Sequence, residues 1–574
     1  MIDNIIQKFH EILKHDRLAV LIIFLLTALV FGNIFRNEFV MDDYDFIVDW
    51  PLIQDLRNAP QFFVNYQPLP RQEGIYSPLK TLFHAINYNF FGLKPMGYHL
   101  LSLLIHFLGI YFVYRITKQL TQNNTIAFFT GLFFAVHPAH VEAITYMTAS
   151  IDSLGVVFAF MAFSFYVQFR RATDNPRRWY GLSLLMALLA IFTHELTIAL
   201  PLLLLLYDGC FSRTKVSVRK IWLSVLPFLI IVVSYALIKF LVLGAITRGG
   251  YVADSPYLTF LIAIKALAKY VIFVFFPLVL THNHVIVKGI SSFDPDDFDR
   301  YAVLSQSIVE PQTLCSLIFL LCIAYIATRQ LEKNPVITFA MGWFFICLLP
   351  GANIIPSGVY FAERYLYFAS FGFHLLLGIV FYNGMTANKR WIKTATGIIC
   401  ISLVSFYGMR SHLRNQQWQN EIALYESAVA ANPQSALMLT DLGVVYTNHE
   451  KPEQALIVFK KAAAIKPTDP VIYFSMAEGF MQLQQPQMAV GALYRAIELD
   501  PSFADAYYNL AGIYASFGFN ELAKQHLVQA LDYFSRQGRG EDADRLESAF
   551  YTYFPALSDV NWPELMKDLP SDGQ

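Results

Sequence analysis

The chain has 574 residues, of which 56% are hydrophobic, 16% aromatic and only 15% charged, against about 25% charged in an ordinary soluble protein; this excludes a soluble multidomain enzyme. The net charge of −1 hides an asymmetry, with 31 basic and 23 acidic residues before Ser411 but 11 basic and 20 acidic from Ser411 onward. The acidic tail excludes a nucleic-acid reader, because phosphate backbones are bound by basic surfaces. The five cysteines form no CxxC pair and suggest neither a zinc site nor a disulfide framework.

In chain order, Lys8, Lys14 and Arg17 precede an apolar run that continues to Phe35 without a small-residue cleavage site, which predicts a retained signal-anchor with a cytoplasmic N-terminus. The loop at about 36–96, rich in Tyr, Phe and Pro, is too apolar for a free linker and is expected to form helices lying on the membrane. Further spans are expected at about 98–116, 124–138, 153–168, 178–193, 195–208, 219–241, 312–328, 335–350, 365–383 and 391–409, each near or somewhat short of the roughly 20 residues a bilayer needs. Basic loops at Arg115/Lys118, Arg170/Arg171/Arg177/Arg178, Arg213/Lys215/Arg219/Lys220, Arg329/Lys333 and Lys389/Arg390 place those connections in the cytoplasm. The apolar segment 257–281 carries Lys265 and Lys269 mid-run and is read as interfacial or re-entrant, leaving eleven crossings and an outward-facing tail.

The tail changes character. Pro433, Pro467 and Pro501 are 34 residues apart, each closing a helical pattern of small and aromatic residues, and a period of about 34 is the tetratricopeptide signature. Units at about 436–469, 470–503 and 504–537 place Gly443, Tyr446, Ala455, Phe459 and Ala462, and their counterparts, at the repeat's packing positions. Segments 417–432 and 541–554 read as a preceding half repeat and a terminal cap. The expected fold is all-α: a polytopic membrane domain over 1–410 followed by a soluble repeat solenoid over 411–574.

Ionisable residues at membrane depth are costly and therefore functional candidates. The adjacent carboxylates of Asp42 and Asp43 follow the first span, and like charges side by side raise one pKa, as suits a general base; the alternative is a solvated loop of ordinary acids. Other span ends expected on the same side carry His137, His140 and Glu142, then Asp152, His194 and Glu195, and finally Glu363 and Arg364. The HxxH pair at 137 and 140 is half a zinc site without a third ligand, so no metal is assigned, although a divalent cation is left open.

The stretches FVMDDY, YSPLKTLFHAINYNFFGLKPMGYHLLSLLIH, LFFAVHPAHVEAI, THELTIALPLLLLLYD and FAERYLYFASFGF resemble those of the transmembrane-and-tetratricopeptide (TMTC) O-mannosyltransferases, a GT-C family. The resemblance implies a membrane glycosyltransferase fed by a sugar on a polyprenyl-phosphate carrier. It implies Asp42 as base, Asp43 orienting the acceptor or an ion, and Arg364 as the cation for the departing phosphate, with His137, His140 and Arg248 as further phosphate-binding candidates. Supporting roles fall to Glu142, Asp152, His194, Glu195, Glu363, Tyr76, Tyr98 and His99. Three family cations are replaced, by Ser77, Ile151 and His194. The expected function is inverting transfer of the sugar to a hydroxyl of a protein acceptor selected by the repeats; the alternatives are a non-enzymatic scaffold for envelope or export proteins, or a GT-C enzyme acting on a lipid or glycan. The partners are then the bilayer, the polyprenyl-phosphate sugar and a protein or peptide. The expected location is a bacterial inner membrane with periplasmic repeats, or an endoplasmic reticulum membrane with lumenal repeats in a eukaryote.

Overall fold

The computed structural model describes residues 15–64, 75–212, 217–247, 249–286, 290, 292, 306–353, 356 and 358–555. Lys8, Lys14, Arg213, Lys215 and Arg248 lie outside these residues, so the roles expected of them are not visible. The described residues are helical, joined by turns and loops. Contacts divide the chain into two units, Met1–Leu424 and Tyr425–Gln574.

The first unit contains the apolar helices α1 (Asp16–Phe31), α2 (Pro78–Phe91), α3 (Pro95–Thr121), α4 (Asn124–Val136), α5 (Val141–Thr145), α6 (Met147–Arg171), α7 (Pro176–Thr193), α8 (Leu200–Phe211), α9 (Val218–Leu243), α10 (Pro256–Phe275), α11 (Pro311–Gln330), α12 (Pro335–Leu348), α13 (Leu366–Met385) and α14 (Arg390–Gln417). Among the described residues, eight stretches are long and apolar enough to cross a membrane, or up to nine if one bent pair of helices is one span. In a bilayer all backbone groups must pair within such helices. Helices α7, α8 and α12, also expected as spans, lie in the same unit but are shorter or less apolar.

The helices pack around aromatic rings, with Trp343 lying between Phe160, Phe163 and Phe371 at centroid distances of 4.8–6.0 Å. Close helix approach falls at small residues: a Cβ added to Gly372 would lie 2.1 Å from the Ala340 carbonyl oxygen. The loop 36–96 builds a small core of its own from Phe39, Phe46, Ile47, Trp50, Ile53 and Phe62, closed by Tyr98 and Met147.

Helix α10 covers most of the segment 257–281, expected to be interfacial or re-entrant. It is 20 residues long, 72% of its apolar window is buried, and it meets the length and composition of a span. Its lysines are tied inside the protein, Lys265 to Glu310 at 2.6 Å and Lys269 to the Val285 carbonyl at 2.6 Å.

The division at Leu424 falls later than the change of composition at Ser411 because α14 runs unbroken through that point. Its last turns are anchored in the first unit: Ser411 Oγ donates to the Val136 carbonyl at 2.8 Å and Thr145 Oγ1 to Asn415 Oδ1 at 2.5 Å. A further helix, α15 (Glu421–Ala431), follows.

The second unit holds three helix pairs, α16 (Ala436–Asn448) with α17 (Pro452–Ile465), α18 (Pro470–Gln482) with α19 (Pro486–Leu499), and α20 (Ala504–Ser516) with α21 (Asn520–Arg536), then α22 (Gly540–Tyr553). Gly443 is required at its position, because a Cβ there would lie 2.4 Å from the Phe459 ring. Buried Ala455, Ala489 and Ala523 occupy the same place in successive pairs, as expected of a stacked repeat.

Candidate active site

The site is organised by the stretch 137–152. Pro138 has no N–H and breaks the helix after Val136, bending the chain by 57°; the His137 ring caps the break, Nδ1 accepting from Ala139 N–H at 3.3 Å. Beyond the bend, Glu142, Tyr146, Thr148 and Asp152 each meet a different part of the protein.

Glu142 is buried and forms an ion pair with the Arg364 guanidinium, and the Arg364 backbone N–H also donates to it. The adjacent Glu363 turns the other way, accepting from Thr281 N–H at 2.8 Å and lying 2.9 Å from His284 Nε2. Burial, next the charge of Lys269, holds His284 well below its ordinary pKa, and burial together with Arg414 pushes His282 down to about 3.

Asp42 and Asp43 occupy different environments. Asp43 is buried: its Oδ1 accepts from Thr148 N–H at 2.8 Å and Thr148 Oγ1 at 2.6 Å, and its Oδ2 from Val40 N–H at 3.2 Å. Burial outweighs these bonds and pushes its carboxyl up to about 7. Asp42 stands exposed at the tip. The tip is held from the chain after α14, with Glu38 N–H donating to the Gln419 carbonyl at 2.8 Å and Met41 N–H to Glu421 Oε1 at 3.3 Å. Met41 adopts φ +53°, the left-handed region, which presents Asp42 outward at a conformational cost.

Asp152 lies one helical turn beyond Thr148, on the same face of α6. It pairs with Lys80 at 2.9 Å and His194 Nδ1 at 3.3 Å. Beside it, Lys239 pairs with Glu195 at 2.8 Å, and Tyr235 Oη donates to the Tyr76 carbonyl at 2.7 Å. His194, Glu195, Tyr235 and Lys239, with Tyr365, line a groove of about 370 Å³ that is otherwise mostly aliphatic. Tyr365 joins this groove to Arg364 through the chain itself.

Thus the structure brings Asp42, Asp43, Glu142 and Arg364 to one cluster and Asp152, His194 and Glu195 to an adjoining one. His137 and His140 go elsewhere: both are fully buried among aromatic rings, with His137 Nε2 3.0 Å from the Val274 carbonyl, and His140 bridging the Phe134 carbonyl and Ser370 Oγ at 2.8 Å each. Tyr98 and His99 act on backbone, their partners being the carbonyls of Gly92 at 3.0 Å and Asn37 at 3.2 Å. Tyr76 Oη donates to the Phe63 carbonyl at 2.9 Å.

Sequence reasoning passed over Lys80, Lys239, Tyr146, Thr148 and Arg414. Lys239 had a signal, being a lone charge in the apolar run of α9. Lys80 stands in the stretch YSPLK, one helical turn before His84.

Residues 76–238 match the dolichyl-phosphate-mannose-protein mannosyltransferase family and residues 410–470 the tetratricopeptide repeat. Protein O-mannosyl-transferase TMTC3 of Homo sapiens is 24% identical over 473 residues, 76% of this chain and 50% of its own length. Protein O-mannosyl-transferase Tmtc3 of Drosophila melanogaster is 26% identical over 514 residues, 76% of this chain and 52% of its own. The chain thus spans about half the length of these relatives. ArnT from Cupriavidus metallidurans bound to undecaprenyl phosphate aligns over 86% of this chain and 80% of its own at 14% identity, with a TM-score of 0.37. With a mannosyltransferase segment among its membrane helices and a repeat segment after them, the chain resembles the TMTC protein O-mannosyltransferases, as its motifs imply.

Proposed function

We propose that the protein is an inverting membrane glycosyltransferase that moves a sugar from a polyprenyl-phosphate carrier to a hydroxyl of a protein acceptor. The carrying observation is that one stretch of chain, 142–152, fixes both an exposed carboxylate and a set of buried cations beside an apolar groove. Asp42 takes the proton of the acceptor hydroxyl, and the freed oxygen attacks the anomeric carbon. The bond from that carbon to the carrier phosphate breaks, and the electron pair leaves with the phosphate. A base in this position contributes about 10²–10⁴ in rate.

The carrier's chain lies along the aliphatic wall of the groove, and its phosphate sits toward Lys80, Lys239 and His194. Lys80 and Lys239 take the place of the family cations missing at Ser77, Ile151 and His194. Arg364, held by Glu142, offsets charge developing between phosphate and base; a guanidinium is suited to this because it bonds phosphate in two places. Asp43 anchors the turn that presents Asp42. Among the described residues no three histidine, cysteine or carboxylate side chains converge as a metal site, and the steps above use only the chain's own groups.

The repeats select the acceptor, and the catalytic face lies opposite the basic loops, on the periplasmic side of a bacterial inner membrane or the lumenal side in a eukaryote. The test is reconstitution of the full chain with radiolabelled polyprenyl-phosphate mannose and a peptide acceptor. Label should pass to peptide hydroxyls with wild type and not with Asp42→Asn. Equal transfer by both would refute the assignment. Mass spectrometry of envelope glycoproteins with and without the gene identifies the native acceptor.

A further inference from the structure

At the core of the site two aromatic side chains carry buried polar atoms. Tyr146 and Trp418 stack with ring centroids 5.4 Å apart and planes at 26°. Both are buried, Tyr146 at 4% and Trp418 at 1% exposure. The Trp418 indole N–H has no hydrogen-bond partner among the described residues, and the Tyr146 hydroxyl has none but the Asp42 carboxylate. A buried donor left without an acceptor costs about 1–3 kcal/mol, so the indole N–H indicates that something polar fills the gap beside it in the working protein.

The surrounding charges narrow what that is. The carboxylate acting most strongly on the Tyr146 hydroxyl is Asp42, with Arg364 also bearing on it. The Arg414 guanidinium lies 5.5 Å from the Trp418 ring and donates to Gln417 Oε1 at 2.7 Å. A phosphate beside Asp42 would face a like charge. A neutral polyol does not: its hydroxyls accept from the indole N–H and the phenol and donate to a carboxylate. We infer that Tyr146 and Trp418 form the hydroxyl-recognition subsite for the hexose being transferred, between the base and the phosphate cations. This rests on the glycosyltransferase reading above and extends it to two residues that set sugar specificity.

The test compares a sugar-loaded with a bare carrier. The full-length protein in lipid nanodiscs is titrated with polyprenyl-phosphate mannose and with polyprenyl phosphate, as wild type, Tyr146→Phe and Trp418→Phe. Each variant removes or weakens the donor while keeping an aromatic ring in the stack, and the two are independent should either fold poorly. Each should weaken binding of the loaded carrier about tenfold and leave the bare carrier within about twofold. Equal weakening for both carriers would make the residues structural, and no change for either would mean that ordered water alone satisfies the two donors; both results overturn the subsite. Wild-type protein that binds neither carrier overturns the donor reading itself, and the subsite with it.

Discussion

The two adjacent carboxylates should separate cleanly in experiment. Asp43→Asn keeps the shape of the side chain but presents both an oxygen and an NH₂ group to two backbone N–H donors, those of Thr148 and Val40. Whichever way the amide turns, one N–H is left facing an NH₂ group, at about 1–3 kcal/mol. Asn also cannot titrate. In the wild type burial raises the Asp43 carboxyl from 3.8 to about 7, so the folded state keeps its proton where the unfolded chain has lost it. Stability contributed by this group therefore falls as pH rises from about 4 to about 7 and is level above that, at about 1.4 kcal/mol per pH unit, or roughly 3 kcal/mol between pH 5 and pH 7. Thermal unfolding in nanodiscs from pH 5 to 8.5 should show the wild-type midpoint dropping over this window and the Asp43→Asn profile flatter, with the variant most destabilised at the acid end. Asp42→Asn should remove transfer. If Asp43→Asn keeps the wild-type pH slope and loses as much transfer as Asp42→Asn, then Asp43 takes part in the chemistry and the buried-anchor argument fails.

Lys80→Met leaves Asp152 without its closest cation, a loss on the scale of about 3–5 kcal/mol for a broken buried pair; adding Asp152→Leu should recover the unfolding midpoint but not donor affinity, and recovery of both would remove Lys80 from the donor site. Cysteine at Ser502 in a cysteine-free variant should react with an impermeant thiol reagent in intact cells, and labelling only after lysis would place the repeats on the wrong side for acceptor delivery. A chain ending at Ala431 retains Gln419 and Glu421, which hold the Asp42 turn, and should bind donor and glycosylate a short peptide slowly; a chain ending at Met409 should do neither. Loss of donor binding in the longer truncation, with normal insertion, would make the repeats part of the catalytic unit.

Long apolar runs and the 34-residue period were legible because each is a local pattern: a span needs only length and composition, and a repeat needs only recurring small residues. The acidic pair was visible for the same reason. What escaped was pairing at a distance. Nothing in the sequence indicates that Lys265 is silenced by Glu310, or that Lys80 reaches Asp152 across 72 residues. His137 and His140 misled because histidine at a helix break serves equally well as a ligand or as a cap, and here both rings are satisfied by neighbouring backbone and a serine. Charge changes at Ser411, beside the start of the tetratricopeptide match, while packing of the first unit continues to Leu424.

The spacing along 142–152 also limits how this protein can change. Because Thr148 and Asp152 sit one turn apart on α6, inserting or deleting a single residue between them would turn everything beyond it by about 100° and shift it by about 1.5 Å. The Asp43 anchor and the Lys80 pair could not then both be kept. Substitution is open to this segment and changes of length are not, so natural variants and engineered libraries should alter donor choice through side chains here while preserving the residue count from Thr148 to Asp152.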